Sequence, residues 1–161
     1  MQKNAFEQRQ AFQKGMTYFK RQQYDKALSC FRKAVACENI TELRDTDPLY
    51  LSYYGIALAT ARSKFDVAKK LCNIAVSRGK EHPEVFLNLG KVYEVSGNKT
   101  MAINTYRAGY REHNTNADLY GALQRLNPRG KSLIPFLDRD HFLNKYSGLL
   151  LRRGLRMFNR R

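Results

Sequence analysis

Residues 83–114 read PEVFLNLGKVYEVSGNKTMAINTYRAGYREHN. Phe86, Leu89, Gly90 and Tyr93 fall at i, i+3, i+4 and i+7, which is one face of a helix. Ser96-Gly97-Asn98 then breaks the period with turn residues. Ala102, Tyr106 and Gly109 resume it on a second helix. Two helices joined by so short a turn fold back antiparallel. Gly90 and Ala102 mark the close approach of the two backbones, and Phe86, Leu89, Tyr93 and Tyr106 fill the space around them. Neither helix can bury its apolar face alone, so the unit requires neighbours.

The chain supplies them upstream. In residues 11–35 (AFQKGMTYFKRQQYDKALSCFRKAV), Gly15 takes the place of Gly90, Ala11 that of Phe86 and Tyr18 that of Tyr93. Tyr24, Ala27, Phe31 and Ala34 form the second face. In residues 48–76 (PLYLSYYGIALATARSKFDVAKKLCNIAV), Leu51, Tyr54, Gly55 and Leu58 form the first face, and Phe65, Ala68, Cys72 and Ala75 the second. Gly15 to Ala27 spans 12 residues, as does Gly90 to Ala102, while Gly55 to Ala68 spans 13, so the middle turn is one residue longer. Pro48 and Pro83 both suit a first helical turn. Gly15 and Gly55 lie 40 residues apart, which places Glu38–Asp47 in a longer connection.

This register resembles the tetratricopeptide repeat family, whose unit is about 34 residues long with large and small residues at fixed places. The third unit matches at Phe86, Leu89, Gly90, Tyr93, Gly97, Ala102, Tyr106 and Gly109. Lys14 departs from it, standing where an apolar residue is usual. The resemblance implies an all-α fold: a right-handed superhelical array of three helix–turn–helix units, at about residues 8–41, 48–82 and 83–116. A capping helix follows at 117–127, where Tyr120 and Leu123 continue the spacing and Gln124 replaces the small residue. Residues 128–161 depart from the repeat. KSLIPFLD (131–138) reads as extended and apolar because of Pro135. A last helix, 139–159, carries Phe142, Tyr146, Leu149 and Leu150 on one stripe and ends rich in arginine.

Composition narrows the function. The 161 residues carry a net charge of +15, and residues 121–161 hold ten Lys/Arg against two Asp/Glu. That balance favours acidic partners. The N-terminus has no apolar signal core and no apolar run reaches membrane-spanning length, which points to a cytoplasmic protein. Cys30, Cys37 and Cys72 are odd in number and include no CxxC pair, so they read as small buried hydrophobes rather than disulfide or zinc ligands. His82, His113 and His141 are scattered, and Asp138 and Asp140 read as helix-start residues. No phosphate loop, nucleophile elbow or metalloprotease motif occurs. The expectation is therefore no enzyme and no cofactor.

What remains is surface. By resemblance, the inner side of the array is lined by Arg9, Phe12, Gln13, Met16, Phe19 and Lys20 in the first unit. In the second unit the lining is Leu49, Ser52, Tyr53, Ile56, Ala59 and Thr60. In the third it is Glu84, Leu87, Asn88, Lys91, Glu94 and Val95. Family members that grip a peptide's terminal carboxylate use Lys and Asn on the first inner helix. Phe12 and Met16 stand there instead, so that clamp is not expected. A groove this apolar suits a peptide or helix of a partner protein, or the chain's own KSLIPFLD or Phe142–Leu150 segment. The tail arginines Arg152, Arg153, Arg156, Arg160 and Arg161 suggest a second contact. Interleaved with Leu, Met and Phe, they suit an anionic membrane surface; as bare charge, they suit nucleic acid.

Overall fold

A computed structural model of the chain describes residues 2–35 and 46–126. These all belong to one compact unit, Met1–Leu126. Residues 127–161, with the five tail arginines and the two apolar segments, lie outside the described residues, as does Cys37.

Among the described residues there are seven α-helices and no strand: α1 Gln2–Lys20, α2 Tyr24–Val35, α3 Pro48–Arg62, α4 Phe65–Arg78, α5 Pro83–Val95, α6 Lys99–Glu112 and α7 Ala117–Leu126. The sequence explains their starts. Pro48 and Pro83 open α3 and α5 where a missing N–H costs nothing. Asp47 caps α3 by accepting from the Leu49 N–H at 2.8 Å, Asn98 caps α6 by accepting from Met101 at 3.2 Å, and the Asn116 side chain accepts from Leu119 at 2.9 Å. Each cap satisfies one of the donors a helix start leaves open. Three tight turns pass through the left-handed region, at Gln22 (φ 59°), Ser63 (φ 53°) and Gly97 (φ 81°).

The helices pack in hairpins, α1 on α2, α3 on α4 and α5 on α6. The hairpins join through α2 on α3, α3 on α5 and α4 on α5, and α7 closes on α6 and α5. The result is two layers, one of odd-numbered helices and one of even-numbered helices.

Each hairpin is closed by a glycine lying under a large or polarisable side chain of its partner helix. A Cβ on Gly15 would meet the Phe31 ring at 2.6 Å, and one on Gly55 would meet Cys72 Sγ at 2.5 Å. A Cβ on Gly90 would collide with the ring of Tyr106. Spacing alone pairs Gly90 with Ala102; the structure places Tyr106 in that space. Phe31, Cys72 and Tyr106 are all fully buried. Burying a side chain such as Phe31 contributes about 1.5–3 kcal/mol, so these three contacts are the centres of the three hairpins.

A layer of inner side chains joined through buried polar and aromatic contacts

The odd-helix layer contains every residue the sequence assigns to an inner groove, and the structure divides them into three groups. Ser52, Ile56, Leu87 and Asn88 are buried. They join α3 to α5: Asn88 Nδ2 donates to Ser52 Oγ at 3.1 Å, and Ser52 Oγ donates to the Leu49 carbonyl at 2.9 Å. The Cys72 thiol donates to the Ser52 carbonyl at 3.5 Å. Burial pushes that thiol up to about 12, so it is inert as a nucleophile. A buried polar pair is tolerable only when its hydrogen bonds are made, and among the described residues no buried side-chain polar atom lacks a partner.

The second group is aromatic. Phe12 stacks on Tyr50 with ring centroids 4.4 Å apart and meets Tyr53 edge-on at 5.5 Å. Phe19 meets Tyr53 edge-on at 5.8 Å, and Phe31 lies 5.7 Å from both Phe12 and Tyr53. Met16 packs against the same cluster. Offset and edge-to-face pairs add about 0.5–1.5 kcal/mol each beyond area burial. Phe12, Met16, Phe19 and Tyr53 are therefore the joint between the first two hairpins, and each keeps a half-exposed edge. Leu49 is half-buried in the same way.

The third group is charged. Arg9 and Lys91 are exposed, and the Tyr50 hydroxyl is pushed up, first by burial and then by the Asp47 charge, with the Arg9 charge opposing. The Tyr53 hydroxyl is pushed up to about 12 by burial, and further by the negative charges of Glu84 and Asp118. Those two carboxylates occupy the first turns of α5 and α7. The inner layer thus carries cations on α1 and α5, half-exposed aromatics between them and two carboxylates in the first turns of α5 and α7.

Three features escaped sequence reasoning. Tyr50 falls outside the inner-layer register, yet it stacks on Phe12. The repeat register puts Glu94 on the open face, but its Oε1 accepts from the buried Tyr106 hydroxyl and from Arg125 Nη2 at 2.8 Å. It thereby links α5 to α6 and α7. His113, at the end of α6, sends Nε2 to the Lys80 carbonyl at 2.7 Å and lays its ring edge-on to Phe86, 6.1 Å away. Each is a contact between residues at least 12 apart in the chain, which local periodicity does not report.

No described helix is long and apolar enough to cross a membrane. Among the described residues no group of three His, Cys, Asp or Glu is placed to hold a metal.

Comparison with known proteins agrees with this architecture. The family profile for the tetratricopeptide repeat matches residues 9–39. No curated protein sequence matches the chain. Among solved structures, the tetratricopeptide domain of Arabidopsis OM64 superposes with a TM-score of 0.61 at 20% identity, covering 79% of this chain and 99% of that one. The Sgt2 tetratricopeptide domain of Aspergillus fumigatus gives 0.60 at 16% identity, covering 84% and 89%. The second tetratricopeptide domain of human RPAP3, solved with the HSP70 peptide SGPTIEEVD, gives 0.58 at 17% identity, covering 78% and 97%. With helix pairs, small-residue contacts and solved neighbours in agreement, the chain carries the tetratricopeptide-repeat fold, and the family's own repeat is matched at residues 9–39.

Proposed function

We propose that the protein is a non-catalytic scaffold of the cytoplasm that holds a peptide or helix of a partner protein against the odd-helix layer. The observation that carries this is the row of half-exposed apolar edges, Phe12, Met16, Leu49 and Tyr53, set between the exposed charges Arg9 and Lys91. A surface of that kind supports a segment that buries aliphatic side chains and leaves its ends polar. Solved neighbours with this fold hold peptides, such as the HSP70 peptide SGPTIEEVD on human RPAP3.

The ligand differs in chemistry from those acidic tails. A terminal carboxylate needs cations, and here Glu84 and Asp118 set negative charge beside Tyr53. The partner segment is therefore apolar and not acidic at that edge. The chain's own residues 131–138 and 142–150 have the composition to compete for the same surface, and Arg152, Arg153, Arg156, Arg160 and Arg161 supply a second contact.

Capture from lysate with the full chain tests this reading, alongside a variant carrying Arg9→Glu, Tyr53→Ser and Lys91→Glu. The expected result is a saturable protein partner lost by that variant; no saturable partner for the wild-type chain would sink the proposal. Titration with a peptide ending in EEVD is expected to show no saturable binding. Saturation would contradict the acidic edge.

A further inference from the structure

The acidic edge of the odd-helix layer has a geometry that the scaffold reading leaves unused. The odd helices run the same way, because one antiparallel partner stands between each and the next. Two contacts fix their stagger. Asn88 Nδ2 lies 3.1 Å from Ser52 Oγ, which sets that turn of α5 beside the Tyr53 turn of α3. Arg125 Nη2 lies 2.8 Å from Glu94 Oε1, which ties α7 to α5 farther along. Glu84 is four residues before Asn88, on the same side of α5. Asp118 is seven residues before Arg125, on the same side of α7, and Leu87 is seven before Glu94. Asp118 is therefore level with Leu87, and the two carboxylates flank the stretch of the layer next to Tyr53. Their charges reach it: after burial, they are what pushes the Tyr53 hydroxyl up.

Among the described residues neither carboxylate is in an ion pair; the paired acids are Asp25, Asp66, Glu81 and Glu94. Lys91, seven residues after Glu84, stands about 10 Å along α5, and Arg9 bears on Tyr50 rather than Tyr53. Space is also open here. Gly121, three residues after Asp118, has nothing within 4 Å of its Cβ position. The Tyr53 ring is half-exposed and held edge-on by Phe12 at 5.5 Å and Phe19 at 5.8 Å.

We propose that this edge receives a lysine or arginine side chain of the partner's apolar segment, seated against the Tyr53 ring between Glu84 and Asp118. The inference rests on the scaffold reading and names the charge of its ligand. The half-exposed edges of Phe12, Met16 and Leu49 cover the segment's aliphatic side chains. The ring face attracts a cation held within about 6 Å of its centroid, and the carboxylates complete the charge match. A neutral segment would cover both carboxylates without pairing them, which costs free energy. An acidic one would be repelled.

The test is selection of a phage-displayed library of random peptides on the full chain, followed by anisotropy titration of labelled copies of the enriched peptides. The expected peptides carry Lys or Arg beside apolar residues. Glu84→Gln with Asp118→Asn should bind them about threefold to tenfold more weakly, and should fold as the wild type does because neither side chain is in an ion pair. Selection on Glu84→Lys with Asp118→Lys should enrich Asp or Glu in place of the cation. Enriched peptides without a cation, or an affinity unchanged in the Gln/Asn variant, would overturn this inference and leave the scaffold standing. A library that yields no binder would overturn both. A synthetic peptide of residues 149–161 that outcompetes every enriched peptide would make the chain's own tail the ligand, and would overturn the assignment to a partner.

Discussion

Gly90 on α5 lies so close beneath the ring of Tyr106 on α6 that no Cβ fits between them. The same relationship holds Gly15 to Phe31 and Gly55 to Cys72. Because Tyr106 is fully buried, its ring has nowhere to retreat. Gly90→Ala should therefore cost about 1–3 kcal/mol from overpacking, offset in part by the about 0.5–1 kcal/mol a helix gains from Ala over Gly. Gly121, in α7, has nothing within 4 Å of its Cβ position, so Gly121→Ala should stabilise by that same about 0.5–1 kcal/mol. Urea unfolding of both variants checks the pair of opposite signs.

The turns give a prediction that involves no packing. Gln22 and Ser63 hold positive φ without being glycine, whereas the third hairpin uses Gly97 there. The left-handed region costs an ordinary L-residue about 1–2 kcal/mol. Gln22→Gly should therefore raise stability by up to about 1 kcal/mol once the entropy of glycine is subtracted. Gly97→Ala should lower it by a similar amount. Thermal melts of the two variants should move in opposite directions.

Glu94 holds two partners with one oxygen. Glu94→Ala leaves the buried Tyr106 hydroxyl without its acceptor, which costs about 1–3 kcal/mol. Arg125→Ala removes only the outer arm, whose arginine side chain is 60% exposed, and should cost less than about 1 kcal/mol. Hydrogen exchange of the α7 amides should speed up more in the first variant than in the second.

Stability should decline at alkaline pH. Burial pushes the Cys72 thiol from its usual 9.0 up to about 12. The Tyr53 hydroxyl is pushed from 10.0 up to about 12, by burial and then by Glu84 and Asp118. Both values are raised, so the folded chain keeps protons that the unfolded chain releases. Their contribution is complete below pH 9 and is lost as pH rises towards 12. Urea midpoints should fall from about pH 9 upwards. Cys72→Ala should flatten the first part of that fall, between the thiol's ordinary pKa and the tyrosine's.

Much of the architecture was legible because it repeats. Gly15, Gly55 and Gly90 recur with a small partner 12 or 13 residues on, and Pro48 and Pro83 mark two helix starts. Periodicity reports which side of a helix a residue occupies, and it does not report which distant residue meets it there. Ser52 and Asn88 are 36 residues apart, and Glu94 and Arg125 are 31 apart. Nothing local announces either pair. For the same reason the inner layer looked like one apolar groove in the sequence, while the structure uses Ser52, Ile56, Leu87 and Asn88 to bind α3 to α5. The left-handed turns at Gln22 and Ser63 carried no glycine signal.

Photo-crosslinking tests the scaffold account most directly. A photoreactive residue placed at Gln13 or Lys91, both exposed on the odd-helix layer, is compared in lysate with one at Asn104, exposed on the even-helix layer. The account predicts discrete protein adducts from positions 13 and 91 and none from position 104. Adducts of equal yield from all three, or protein adducts from position 104 alone, would contradict it.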